Sequence, residues 1–174
     1  KLVFFVFVLL FSLLFAQENE KNAEFLFKFK FIENDAYKVH SVVDENVYVN
    51  GKFHHKAQII NRIEVEVSDI KTGDGDKTSS ALFSCMFMTS EQNSNKTFDW
   101  SRNYPSVFRR DEAGFYSIGD EYFMPVVRNV PTFPNYPVKP GDTWTGEGFE
   151  AHDFRDAFGI EKPFTFPFKV EYQY

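Results

Sequence analysis

Apolar residues recur at every second position along this chain, and that spacing limits its folds most. In EFLFKFKFI, Phe25, Phe27, Phe29 and Phe31 fall on one face of an extended segment, with Lys28 and Lys30 on the other. In FTFPFKVEYQY one face is Phe164, Phe166, Phe168, Val170, Tyr172 and Tyr174, set against Thr165, Pro167, Lys169, Glu171 and Gln173. Successive side chains of a strand point to opposite faces, so the pattern predicts half-buried antiparallel strands. Pro167 has no N–H to give a ladder, which puts its strand at an edge or a bulge. The 23 Phe, 8 Tyr and 2 Trp supply a thick aromatic core for such sheets.

The middle of the chain reads as a long hairpin, YKVHSVVDENVYVNGKFHHKAQIINRIEVEVSDI, with Asn50-Gly51 at its turn. The apolar positions are odd on both arms: Tyr37, Val39, Val43, Val47 and Val49, then Phe53, Ala57, Ile59, Ile63, Val65 and Val67. A two-residue loop would pair odd with even and put the two apolar faces on opposite sides of the sheet. We therefore expect a three-residue loop ending in a left-handed Gly51 with a bulge. That register sets Val47 against Phe53, Glu45 against His55 and Val43 against Ala57.

ALFSCMFM, residues 81–88, is apolar on both faces and reads as a central strand. A further hairpin is expected around residues 111–114. Residues 121–142 carry prolines at 125, 131, 134, 137 and 140 and read as an extended connector that wraps the sheet. Helix signals are scarce; the best is residues 152–158, with Phe154 and Phe158 one turn apart. The expected fold is all-β: an antiparallel β-sandwich or strongly curved half-barrel, with a long central hairpin, a proline-rich connector and an N-terminal signal helix.

Residues 1–16, KLVFFVFVLLFSLLFA, combine a charged start, a short apolar run and a final small residue, which is the pattern of a secretory signal peptide. The run is short for a membrane span and has no basic flank after it. Residues 17–174 then form a single β-rich exported domain. Cys85 is the only cysteine, so this domain has no internal disulfide and depends on its core. The formal net charge of −6 argues against a nucleic-acid partner, which would need a basic footprint. FTFPFKVEYQY ends the chain without a stop signal, and we expect further sequence after Tyr174.

The stretch PVKPGDTWTGEGFEAHDFRDAF gathers Glu147, Glu150, His152, Asp153 and Asp156. A catalytic zinc needs about three N/O/S ligands and an open position. On a strand, Glu150 and His152 share a face and Asp153 points away; the metal spacing H-E-x-x-H does not occur. The plainer reading is a type II turn at KPGD, a strand anchored by Trp144 and a short helix capped by Asp153. His54 and His55 are neighbours on a strand, so they are expected to face opposite ways and not to share a metal. Arg102, Arg109, Arg110, Arg128 and Arg155 are candidates for an anion or partner surface, or for packing on aromatic rings. TGDGD at residues 72–76 lacks the spacing and closing glutamate of a calcium loop. Cys85 reads as an inert core thiol. No catalytic residue, cofactor site or metal site is assigned. Trp144, His152, Asp153, Arg155, Arg109 and Arg128 are singled out as structural or interaction residues.

Three stretches carry a resemblance: residues 37–67, residues 120–160 and residues 163–174. In the combination of VYVNG, FMPVVRNVPTFP, VKPGDTW and HDFRDAFGI the chain resembles the N-terminal region of spirochaetal OmpA-family envelope proteins. In those proteins an exported β-rich module precedes an OmpA-like domain of the type that binds peptidoglycan. The resemblance implies a periplasmic location at the inner face of the outer membrane. It also implies a non-catalytic structural or tethering role, with peptidoglycan reached through the downstream domain. It carries no functional residue over to this sequence. A rival reading is a periplasmic module that binds a lipid or glycan in an aromatic-lined cavity. A third is an envelope hydrolase using Glu150, His152 and Asp153.

Overall fold

The computed structural model describes residues 23–74, 78–92 and 96–174. The expected signal peptide and its helix lie outside the described residues, as does the second half of TGDGD. Within them the protein is all-β. A five-stranded antiparallel meander runs β1 (Ala36–Val49), β2 (Lys52–Lys71), β3 (Ser80–Gln92), β4 (Phe98–Asp111) and β5 (Tyr116–Ile118). A second, three-stranded antiparallel sheet holds β6 (Val127–Arg128), β7 (Thr143–His152) and β8 (Phe164–Gln173). Neither sheet closes on itself. The helix α1 is only Arg155–Phe158, and His152 is the last residue of β7 rather than part of a helix over 152–158.

The long hairpin forms, but its loop differs from expectation. Asn50 and Gly51 both take left-handed backbone (φ 50° and 74°), which makes a two-residue turn pairing Val49 with Lys52 and Tyr48 with Phe53. Parity is restored within the arm. An extra residue, His54, stands between Phe53 and His55, and the register shifts between Val47 and Tyr48. Beyond this bulge odd faces odd, as the apolar pattern demands. The actual partners are Val47 with His55, Glu45 with Ala57 and Val43 with Ile59, two residues from the expected register. The Asn-Gly pair fixes the turn and the burial pattern fixes the face; the bulge satisfies both.

β3 is central, yet its large apolar side chains are fully buried on one face only. Ala81, Phe83, Cys85 and Phe87 join Val65, Val67 and Phe108 in the core, while Leu82, Met86 and Met88 stay half-buried. Phe83 stacks on Phe108 (ring centroids 5.5 Å apart) and meets Phe31 edge-on. The β4–β5 hairpin turns at Asp111, whose Oδ1 accepts from Ala113 N and Phe115 N. Gly114 (φ 102°) faces the carbonyl oxygen of Pro131, leaving no room for a Cβ.

Residues 25–31 make a strap, not a strand of either sheet. Phe25 bridges to Val138 by two backbone hydrogen bonds, and Phe29 N donates to Glu112 O. Phe25 and Phe27 pack on Tyr174, Phe27 and Phe29 on Phe133, and Phe31 on Phe83. The alternating phenylalanines thus touch the last residue of the chain, the connector and the first sheet in turn. Among the described residues, the proline-rich connector joins the sheet ladders only through the two residues of β6. Elsewhere it packs by caps: Ser106 Oγ donates to Met124 O, Tyr116 N to Asn129 Oδ1, and Arg110 to Pro131 O.

Candidate functional site

The corner where β7 ends is assembled from both sheets. β7 delivers Glu150 and His152, residues 153 and 154 leave the strand, and α1 starts at Arg155. Strand alternation turns Glu150 and His152 one way. His152 Nε2 lies 3.0 Å from Glu150 Oε1, and its ring sits between those of Phe154 and Phe166, each 5.5 Å away and nearly parallel. Asp153 turns the other way, towards β4. Its carboxylate accepts two bonds from the Arg155 guanidinium, at 2.9 and 2.6 Å. It accepts a third from Tyr104 OH at 3.2 Å. Arg102 lies 3.6 Å from the same carboxylate and donates to Asp156 at 2.6 Å.

These contacts set the electrostatics. The Arg155 bonds hold the Asp153 carboxyl down at about 2, so it is an anion throughout the neutral range. Burial, followed by the neighbouring Asp153 charge, pushes the Tyr104 hydroxyl up. Arg155 also lies over the Phe123 ring, 4.0 Å from its centre. Asp153 does not occupy the cap position of α1. That position is Phe154, which gives no side-chain cap, although Asp153 Oδ1 still accepts from Arg155 N at 3.1 Å.

Of the five polar residues of the stretch, His152 pairs with Glu150, while Asp153 and Asp156 meet Arg102, Arg155 and Tyr104. Glu147 stands exposed opposite Lys169. Among the described residues no group of three or more His, Cys, Asp or Glu side chains could hold a metal. Sequence reasoning does not single out Tyr104 and gives Arg102 no partner. The two are alternate residues of β4 and so share a face, but nothing local to them points to a carboxylate 49 residues from Tyr104.

The other candidates lie apart. Trp144 stacks on Tyr172, the residue opposite it on β8, at 5.3 Å, and its Nε1 donates to the carbonyl of buried Thr132. Beside that pair opens a cleft of about 680 Å³, lined also by Tyr136, Thr143, Thr145, Glu171 and Gln173. Arg109 is held by the carbonyl and carboxylate of Asp69. Buried Arg128 donates to the carbonyls of Tyr122 and Pro125 inside the connector. Arg110 lies over Phe29, 3.7 Å from the ring centre. Cys85 is buried, and desolvation pushes its thiol up to about 11. His54 and His55 do not face opposite ways. The bulge brings their Nδ1 atoms to 2.7 Å, and His55 stands opposite Val47 rather than Glu45.

The sequence matches no family model, no curated protein and no solved structure.

Proposed function

We propose that this chain is a non-catalytic module of the cell envelope, in the manner of the OmpA-family N-terminal regions it resembles. It is exported to the periplasm and positions a downstream peptidoglycan-binding domain. Its two antiparallel sheets are the leaves of an open, sandwich-like body, held by the phenylalanine strap and the connector. One observation carries the reading: Asp153 and Asp156, two of the five ionisable groups that suggested chemistry, tie the end of β7 and α1 to β4 through Tyr104 and Arg102. The motifs of the resemblance fall on such fixtures: the Asn50-Gly51 turn, the connector, the turn at residues 139–142 and this corner.

Co-sedimentation with purified peptidoglycan sacculi tests the reading. The protein read from the complete gene should pellet with sacculi, and residues 17–174 alone should stay in solution. An open reading frame with no peptidoglycan-binding domain after Tyr174 refutes the tethering role.

A second reading, glycan binding, is favoured by the Trp144–Tyr172 cleft. It sets aromatic faces beside carboxylate, amide and hydroxyl groups, which suits a sugar better than an acyl chain. Calorimetry with soluble peptidoglycan fragments should then show binding that Tyr136→Ala weakens at least severalfold. Heat no greater than that of dilution removes this reading.

A further inference from the structure

The β1–β2 hairpin outgrows its sheet. Among the described residues β2 pairs with β3 no nearer to its turn than Ile59, and from Gln58 to the Asn50-Gly51 turn its ladder partner is β1 alone. At about 3.3 Å per residue this two-stranded ribbon projects roughly 20 Å beyond the third strand. Every residue from Tyr48 to Lys56 is exposed. The apex is nonetheless apolar: Tyr48, Val49 and Phe53 are 61%, 50% and 54% exposed, and Tyr48 meets Phe53 edge-on across the strands. Around them the charge has one sign. Residues 46–63 contain no Asp or Glu, and the tip carries Lys52 and Lys56, in a chain of net charge −6. Glu45 and Asp44 come only behind Lys56, opposite Ala57 and Gln58.

We propose that this hairpin tip docks on a bilayer of anionic phospholipid. Tyr48, Val49 and Phe53 enter the boundary between headgroups and acyl chains, where a ring with a polar end is favoured, and Lys52 and Lys56 meet the headgroup phosphates. Area and shape select a bilayer over a protein partner. Three apolar side chains on a convex apex fall short of the ~800 Å² per partner that a standard protein interface buries, whereas a lipid surface needs neither that area nor a matching shape. Charge selects an anionic bilayer. Such a surface repels the acidic remainder of the chain and attracts the basic tip, so the molecule approaches tip first. With so few groups engaged, the contact is weak, reversible and screened by salt.

Vesicle flotation of the exported form, residues 17–174, tests the proposal; residues 1–16 are left off because their apolar run would itself enter a bilayer. At low salt the protein should float with vesicles of phosphatidylglycerol and phosphatidylethanolamine and stay behind with phosphatidylcholine alone. Lys52→Gln with Lys56→Gln should weaken binding by about tenfold or more, at about fivefold per lysine. Tyr48→Ser with Phe53→Ser should weaken it at least as much. Circular dichroism of both double variants checks that the fold is kept. A nitrobenzoxadiazole label on Val49→Cys should brighten on the anionic vesicles, while the same label on Lys71→Cys, at the far end of β2, should not; Cys85 is buried and stays unlabelled. No flotation, equal flotation on both kinds of vesicle, lysine variants that bind like the parent, or equal brightening of the two labels overturns the proposal.

Discussion

Asparagine in place of Asp153 removes the charge on which Tyr104, Arg102 and Arg155 converge. The folded carboxyl sits at about 2, against about 4 in an unfolded chain. At about 1.4 kcal/mol per pH unit between those two values, the anion contributes at most about 2.8 kcal/mol. The side chain is still 17% exposed, so solvent screening brings the expected loss nearer to about 1–2 kcal/mol. The sign follows from the depressed value. The contribution is complete above the unfolded pKa, from about pH 5 upward, and fades as pH falls through the folded one; about half has gone at pH 3. Urea unfolding of the native and Asp153→Asn chains at pH 7 and pH 3 measures it. The difference in unfolding free energy should be about 1–2 kcal/mol at pH 7 and about half that at pH 3. A difference unchanged between the two pH values would refute the assignment of this stabilisation to the charge.

Other substitutions probe the rest of the fold. Gly51→Ala meets open space at φ 74° and should cost about 1 kcal/mol of backbone strain. Gly114→Ala adds a clash with the Pro131 carbonyl at φ 102° and should cost well over about 2 kcal/mol; chemical denaturation ranks the pair. Phe83→Ala opens the centre of the core and should lose about 3–5 kcal/mol in the same assay. Trp144→Phe keeps a ring on Tyr172 but leaves the Thr132 carbonyl without its indole donor, a loss of about 1–3 kcal/mol.

Period-two patterning makes the β class legible and an unbroken apolar run the central place of β3, while Asn50-Gly51 marks the long hairpin and Pro167 allows the edge position of β8. The bulge at His54 is not legible, because turn type and burial pattern give conflicting parities and either the loop or the arm can absorb the extra residue. β3 is apolar on both faces, yet Leu82, Met86 and Met88 stay half-buried; no local pattern says which of the two faces meets the core. The strap has strand periodicity, but its successive phenylalanines pack on different parts of the molecule. At the corner, alternation correctly separates Asp153 from Glu150 and His152. The pairing of Asp153 with Tyr104 is long-range and comes from how the sheets are placed, which sequence spacing does not encode.

If the polar corner couples the second sheet to the first, Tyr104 and Asp153 must stabilise the fold as a unit. A double-mutant cycle across their bond tests this most directly, with Tyr104→Phe, Asp153→Asn and both together measured by urea unfolding at pH 7. A coupling energy of about 0.5–1.5 kcal/mol is expected. Effects that add to within about 0.3 kcal/mol would contradict the coupling.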